Sequence, residues 1–290
     1  MTPLRQNFIR ELVLRGISPR TQESYVAAVY GLAKHYHRAP DQLGDEELKA
    51  YLFYLATERK LAPSSLNVTV CGLRSFYQLV LQRPLAPLKL SLPWTARAVR
   101  RPQVFAPEEL ERLFTMGCVH PKHRTFLMTV YGAGLRLSEA CHLRPEHILS
   151  ARGQIRVEQG KGRKDRYTLL SPRLLEELRA YWRLLHPRQW VFFGRDVRLP
   201  LPEGTGQKMF DHAVARAGLP RKGGIHSLRH SFATHLLEAG VEITVVQRLL
   251  GHSSLSTTVN YLHVRRERIS AIQSPLQLLD LSATPRPPQP

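Results

Sequence analysis

Two side chains suited to binding a phosphate stand three residues apart in segment 224–230. His226 and Arg229 lie at a predicted helix start, so both project from one face of the helix near its N-terminus. That end of a helix has backbone N–H groups without helical partners and favours an anion. A phosphate bound there would meet an imidazole, a guanidinium and amide donors together.

Two further segments carry side chains of the same kind. Gly251 is predicted to end one helix, with His252 in the next turn and Tyr261 on the helix that follows. Upstream, Arg136 precedes Glu139 by three residues at another predicted helix start. The carboxylate can therefore orient the guanidinium, whose planar fork matches two phosphate oxygens.

A flexible cation completes the set, because Lys161 lies at the tip of a predicted hairpin and can reach into a site from above. Lys164 competes with it, but the Gly-Lys-Gly setting favours Lys161. Taken alone, each feature has an ordinary structural explanation, such as a surface ion pair, a helix cap, a solvated turn or a core tyrosine. Their order within one domain of a basic chain favours a shared site made of Arg136, Lys161, His226, Arg229, His252 and Tyr261.

The first 85 residues are predicted to form a helical domain. Ser18 followed by Pro19 is a helix-start signal, and apolar residues recur at helical spacing. Four helices are expected: over residues 3–15, from Ser18 through Ala33, from Asp45 through Leu55 and from about Pro63 through Val80. Four short amphipathic helices form a compact bundle.

A linker is predicted at residues 86–104. The stretch 83–102 holds four prolines and five basic residues and has no sustained period, which favours an extended, positively charged segment. Its arginines suit a segment that crosses a phosphate backbone, and a solvated linker without contacts is the alternative.

The rest of the chain is predicted to form a second, mainly helical domain over residues 105–281, followed by a proline-rich tail at 282–290 that favours disorder. Helices are expected from Pro107 to about residue 147. Strands are expected at residues 154–159 and 165–170 around a hairpin loop, and helices follow from Ser171 and at about 205–217, 227–239, 243–249 and 255–265. The fold class is therefore mainly α with a small β-hairpin, that is, α+β.

Composition narrows the function further. The 290 residues include 42 Lys and Arg against 23 Asp and Glu, a net charge of +19, which predicts a polyanionic partner: nucleic acid first, an anionic membrane surface second. Residues 1–104 carry 15 basic and 7 acidic residues and residues 105–290 carry 27 and 16, so both domains are expected to contact the polyanion.

The sequence has no run near the roughly 18 apolar residues of a membrane-spanning helix and no signal-peptide core. Cys71, Cys118 and Cys141 are predicted to be buried thiols of a cytoplasmic protein, without a disulfide or a zinc site.

Four segments, GAGLRLSEA, GKGRKDR, HSLRHSFATHLLEAG and LLGHSSLSTTVNYLH, occur in an order and at a spacing that resemble the tyrosine recombinases of the phage integrase family. The similarity covers nearly the whole chain and is greatest to the compact Xer-type members and their transposon-borne relatives. It implies an N-terminal SAM-like core-binding domain and an integrase-type catalytic domain that close on DNA as a C-shaped clamp.

The resemblance also implies a reaction and a role for each candidate residue. A DNA strand is cut through a 3′-phosphotyrosine that stores the bond energy, so ATP is not expected as a cofactor. Two arginines and a lysine supply the positive charge that a metal ion would otherwise provide, so no metal ion is expected either. By resemblance, Tyr261 is the nucleophile, Lys161 the general acid, Arg136 and Arg229 the phosphate clamp, Glu139 the support of Arg136 and His252 a hydrogen-bond donor, while His226 is either the base or a phosphate ligand.

The implied partner is double-stranded DNA with inverted-repeat recombination sites. Four protomers would synapse two sites and exchange strands through a Holliday junction in the cytoplasm, at the nucleoid, with a paralogous recombinase or accessory proteins as further candidate partners. The apolar segment from Val264 to about Leu281 would dock on a neighbouring protomer or fold back on its own domain. The natural task, whether dimer resolution, integration, excision or resolution of a transposition intermediate, stays open.

Three other functions compete with this interpretation. A type IB topoisomerase shares the chemistry but relaxes supercoils without partner sites. A DNA-binding regulator would keep the fold and lose catalysis, against which the complete set of six residues argues. A metallo-hydrolase would use His226, His230 and His235, whose spacing lacks a neighbouring acidic ligand.

Overall fold

The computed structural model describes residues 2–84, 103–158, 165–252 and 254–259. The chain divides into two compact units, residues 1–100 and 101–290. Nearly all of the predicted linker at 86–104, together with the predicted apolar segment 264–281 and the tail, lies outside the described residues. The predicted domain limits therefore stay predictions. None of the described helices combines the length and apolar character needed to cross a bilayer.

Within residues 2–84, the first unit is a bundle of four α-helices, as predicted. They are α1 (Pro3–Leu14), α2 (Pro19–Tyr36), α3 (Asp45–Thr57) and α4 (Pro63–Leu79). Proline begins three of them, where its fixed φ suits the helix and its missing N–H costs nothing. Ser18 caps α2 by accepting a hydrogen bond from the backbone N–H of Thr21 at 3.4 Å, so this sequence signal is confirmed.

Apolar side chains from all four helices form one core in the first unit. The fully buried members include Phe8 of α1, Leu32 of α2, Leu48 of α3 and Leu73 of α4. Tyr77 is also buried, and its hydroxyl donates to the Pro40 carbonyl oxygen at 2.6 Å. This hydrogen bond satisfies the one polar atom that the ring takes into the core.

The described residues of the second unit form eight more α-helices and three short strands. They are α5 (Pro107–Arg112), which continues as a π-helical turn over Leu113–Gly117, α6 (Pro121–Gly132), α7 (Leu137–Cys141), β1 (Ile148–Leu149), β2 (Gln154–Val157), β3 (Arg166–Leu169), α8 (Pro172–Leu185), α9 (Glu203–Arg216), α10 (His226–Glu238), α11 (Ile243–Leu250) and α12 (Leu255–Val259). The mainly helical fold class with a small sheet is confirmed.

The strands form one antiparallel sheet in the order β1-β2-β3. β2 and β3 are the two predicted strands, shortened at their ends, and residues 159–164 between them lie outside the described part. β1 was not predicted, because two residues are too few to show an alternating pattern. The helices predicted up to about residue 147 are present, with a break after α7 ends at Cys141 and a 3₁₀ helix over Pro145–His147.

Packing against α6 fixes the helix that carries the predicted His-x-x-Arg pair. Phe126, Leu127 and Val130 of α6 are buried in the main core of this unit, together with Leu228 of α10. A smaller cluster packs α10 against α11 through side chains that include Phe232. The end of α11 is thereby held beside α10, which matters for the site described below.

The three cysteines are free thiols. Cys118 and Cys141 are buried, and burial raises the pKa of both, to about 11 and about 12. Cys71 is only partly buried, so the prediction of burial was wrong for this residue.

Candidate active site

Arg136 and Glu139 form the ion pair that their spacing predicts. Arg136 is the residue just before α7, and its Nη1 donates to Glu139 Oε1 at 2.6 Å. The Arg136 backbone N–H donates to Glu139 Oε2 at 2.8 Å. The carboxylate therefore caps the helix and orients the guanidinium at the same time.

Arg229 of α10 also lies next to Glu139. Its side chain is buried, and its two terminal nitrogens donate to the carbonyl oxygens of Gly134 and Leu250, both at 2.6 Å. Its Nη1 is 3.6 Å from Glu139 Oε2. A Cβ on Gly134, whose φ is +60°, would lie 2.3 Å from the Phe232 ring, so only glycine lets this carbonyl approach α10.

Arg166, the first residue of β3, was not among the predicted site residues. Its Nη1 and Nη2 donate to Oε1 and Oε2 of Glu139 at 2.8 and 2.7 Å, a bidentate pair. Its Nε donates to the Leu249 carbonyl oxygen at 2.9 Å. The only sequence signal was the fourth basic residue in GKGRKDR, to which the hairpin prediction assigned no role.

Glu139 thus lies among three guanidinium groups, and we call Arg136, Glu139, Arg166 and Arg229 the Glu139 cluster. The exposed fraction of the side chain is 7% for Glu139, 9% for Arg166, 4% for Arg229 and 22% for Arg136. Burial by itself would raise the pKa of Glu139, but the hydrogen bonds and charge of Arg166, the Arg136 N–H and the charge of Arg229 lower it to about 2. The carboxylate is therefore ionised at pH 7.

The two predicted site histidines lie beside this cluster. His252 occupies the turn after α11, and its Nδ1 is 2.9 Å from the Thr258 hydroxyl. Burial, then the charges of Arg229 and Arg136, lower the pKa of His252 to about 4. His226 is the exposed first residue of α10, and partial desolvation with the same two charges lowers its pKa as well. Both rings are neutral at pH 7.

The cluster therefore carries an excess of positive charge. Three guanidiniums surround one carboxylate, so the net charge of the four side chains is +2, and the neutral histidines add nothing to it. Among the four, Arg136 has the most exposed side chain. Such an arrangement is suited to an anion with several oxygens, and a phosphate diester fits this requirement.

Two of the six predicted site residues, Lys161 and Tyr261, lie outside the described residues. The structure brings Arg136, Arg229, His252 and His226 to one place, and whether the other two join them stays a prediction. Within the described parts of the chain, no three His, Cys, Asp or Glu residues are arranged to hold a metal ion. The metallo-hydrolase alternative therefore has no metal site at its three histidines, His226, His230 and His235, all of which are described.

Two family profiles match the chain. The profile described as the phage integrase family matches residues 103–268. The profile described as the phage integrase N-terminal SAM-like domain matches residues 4–86. Together they span most of the chain and include every predicted site residue.

Named relatives and solved structures agree with the profiles. A Sinorhizobium fredii protein provisionally named as an integrase/recombinase is 44% identical over 291 residues, covering 99% of this chain and 93% of the relative. Tyrosine recombinase XerA of Thermococcus kodakarensis is 34% identical over 282 residues, covering 95% of each. A lambda integrase tetramer bound to a Holliday junction shares the fold, with a TM-score of 0.73, 21% identity and coverage of 89% of this chain and 76% of that one.

Proposed function

The chain belongs to the phage integrase family of tyrosine recombinases, and from this premise we propose that it cuts and rejoins DNA strands at specific sites through a covalent 3′-phosphotyrosine. The observation that carries this proposal is the Glu139 cluster. A net charge of +2, largely buried and flanked by two neutral histidines, is matched to one phosphate group at which negative charge develops during the reaction.

The reaction is a phosphoryl transfer to tyrosine. The phenolate oxygen of Tyr261 forms a bond to phosphorus while the bond from phosphorus to the 5′-oxygen breaks. The product is a 3′-phosphotyrosine and a free 5′-hydroxyl, and attack by another 5′-hydroxyl reverses the step. Because one phosphodiester replaces another, strand joining requires no ATP.

Proton transfers accompany the bond changes. Tyr261 needs a proton acceptor, since the pKa of a free tyrosine is about 10. His226 is the proposed acceptor or a ligand of the phosphate, because its lowered pKa keeps the ring neutral at pH 7 and a neutral imidazole can take up the phenol proton. Lys161 protonates the departing 5′-oxygen, a step worth about 10²–10⁴-fold in rate.

Two arginines and a histidine supply the contacts to the phosphate. Arg136 and Arg229 hold the non-bridging oxygens, and Glu139 keeps Arg136 in place. When the Thr258 hydroxyl donates to His252 Nδ1, the neutral ring carries its proton on Nε2. That N–H is then the hydrogen-bond donor for a phosphate oxygen, as the role assigned to His252 requires.

Recombination needs more than one chain. By analogy with the lambda integrase tetramer on a Holliday junction, four protomers synapse two DNA duplexes that carry inverted-repeat sites. The apolar segment 264–281 is the proposed contact between neighbouring protomers. The chain acts where its DNA lies, at the nucleoid, with a paralogous recombinase or accessory proteins as candidate partners.

Covalent capture tests the proposal and identifies the target sequence in the same experiment. Sheared, nicked genomic DNA of the organism that carries the gene is incubated with protein in EDTA, and adducts that survive detergent are recovered and sequenced. We expect the wild-type chain to yield adducts at one class of inverted repeat. Tyr261→Phe should bind the same DNA and yield none, because the phenol oxygen is missing.

Tyr167→Phe is the matched control, since Tyr167 is an exposed tyrosine of the same unit. This substitution should leave adduct formation unchanged. Adducts formed by Tyr261→Phe would contradict the assignment of the nucleophile. A wild-type chain that captures no DNA would refute the proposed function. Relaxation of a plasmid by dilute protein, without synapsis, would favour the topoisomerase alternative.

A further inference from the structure

Arg166 occupies a position from which it can control the phosphate clamp without touching the phosphate. Its side chain is 9% exposed, and all three guanidinium nitrogens are engaged. Nη1 and Nη2 hold Glu139, and Nε holds the Leu249 carbonyl oxygen. These contacts join β3 to the starts and ends of the helices that form the site.

The first connection runs through Glu139. Each carboxylate oxygen receives two hydrogen bonds of 2.6–2.8 Å, one from Arg136 and one from Arg166. Arg229 Nη1 lies farther away, at 3.6 Å from Oε2. Loss of Arg166 would leave a buried carboxylate with half of these donors, a condition that costs free energy. Glu139 would then draw Arg136 and Arg229 toward itself and compete with the phosphate for both.

The second connection runs through the turn that carries His252. Arg166 Nε bonds to the last turn of α11, and a Cβ added to Gly251 would lie 2.6 Å from Arg166 Cδ. Arg136 Nη2 also reaches this turn, at 3.4 Å from the Gly251 carbonyl oxygen. The guanidinium of Arg166 therefore fixes the distance between the α7 start and the turn before His252.

We propose that Arg166 is a positioning residue for strand cleavage, which satisfies Glu139 so that Arg136 and Arg229 stay available for the phosphate and which holds the His252 turn against them. The role rests on the proposed function of the site. Arg166 also begins β3 five residues after Lys161, so its anchorage fixes one end of the segment that contains the proposed general acid.

Arg166→Gln and Arg166→Lys test this role on the duplex recovered by covalent capture. Single-turnover cleavage by Arg166→Gln should be on the order of 10²-fold slower, since a misplacement of about 1 Å has that effect, while DNA affinity changes little. The acid limb of its pH–rate profile should move to higher pH, because Glu139 and His252 both lose a cation that lowers their pKa. Arg166→Lys keeps the charge but cannot donate to both Glu139 oxygens and to the Leu249 carbonyl at once. Its cleavage rate should therefore lie between those of the wild type and Arg166→Gln.

Arg124→Gln is the control variant. It breaks an ion pair in the same unit, in which Arg124 Nη1 is 2.9 Å from Glu177 Oε2, and it should leave the cleavage rate and the pH profile unchanged. An Arg166→Gln protein with the wild-type rate or with an unmoved acid limb would overturn the positioning role. If that protein does not fold, Arg166→Lys decides, since a wild-type rate for it would overturn the role equally. Failure of the wild-type chain to form any adduct would instead refute the proposed function.

Discussion

Glu139 shows how one carboxylate can organise several cations. It caps α7 through the Arg136 N–H, orients the Arg136 side chain and accepts the fork of Arg166. Its negative charge offsets part of the repulsion among three guanidiniums without neutralising them. The side chains of the Glu139 cluster are therefore held in place without DNA and keep a positive charge for the phosphate, which is the condition for electrostatic preorganisation.

Five histidines with a lowered pKa predict a loss of stability in mild acid. Desolvation is the largest cause of the lowering in each of them: His123, His147, His226, His230 and His252. The pKa falls to about 4 for His230 and His252. Unfolded histidine has a pKa of about 6.5, so below that pH the unfolded chain binds more protons than the folded one. The free energy of unfolding should therefore fall as the pH is lowered from 7 to 5.

Urea denaturation at several pH values measures this effect. His252→Gln should show a shallower pH dependence than the wild type, because one of the groups with a pKa of about 4 is removed. Glu139 stays ionised in the folded chain throughout this range. An unfolded glutamate has a pKa of about 4.3, so Glu139 adds to the slope only near pH 5 and in the same direction. A free energy of unfolding that is constant or rises from pH 7 to pH 5 would contradict the prediction.

Sequence spacing could reveal some of these residues and not others. Arg136 and Glu139 are three apart at a helix start, so their pairing follows from helix geometry alone. Arg166 and Glu139 are separated by 27 residues, and their contact depends on how β3 packs beside α7. The end of α11 at Gly251 was predicted from the sequence, but the contact between Thr258 and His252 was not, because it depends on how α12 packs beside the turn.

The ends of helices, rather than their middles, form the site. Arg136 precedes α7, His226 begins α10 and His252 follows α11. Helix starts were predictable where proline or a cap residue marks them, as at Ser171, which caps α8. β1 escaped prediction because its two residues are defined by pairing with β2, and pairing is a tertiary property.

Gly251 allows a direct test of how α11 ends. It is left-handed, with a φ of +64°, and a Cβ there would lie 2.6 Å from Arg166 Cδ. Gly251→Ala should therefore cost about 1–2 kcal/mol of stability from backbone strain and should also displace Arg166. We expect a large loss of cleavage rate in a single-turnover assay, with the protein still folded.

Gly240→Ala distinguishes the effect of backbone strain from the effect of displacing Arg166. Gly240 is also left-handed, with a φ of +88°, and follows the end of α10, but a Cβ there would meet no heavy atom within 4 Å. It should lose a similar amount of stability and keep the wild-type cleavage rate. Equal loss of rate in both variants would show that the Gly251 effect comes from instability and not from contact with Arg166.

The whole molecule combines two units that each have a hydrophobic core of their own. Positive charge is divided between them: residues 1–102 carry 15 basic and 7 acidic residues, and the rest carry 27 and 16. A chain in which only the catalytic unit bound DNA would not require the excess in the first unit. The distribution favours phosphate contacts from both units at once.

The dependence of DNA affinity on salt measures those contacts. Each phosphate that is neutralised releases counterions, so log K falls against log salt with a slope of about −0.9 per phosphate on duplex DNA. We expect a steep slope for the whole chain on a random-sequence duplex and smaller slopes for residues 1–102 and 103–290 expressed separately. If the slope of the whole chain equals that of residues 103–290, the first unit makes no phosphate contacts and its charge serves another purpose. A steeper slope for the whole chain, which disappears when the basic side chains of the first unit are replaced by glutamine, would show that both units bind the same duplex.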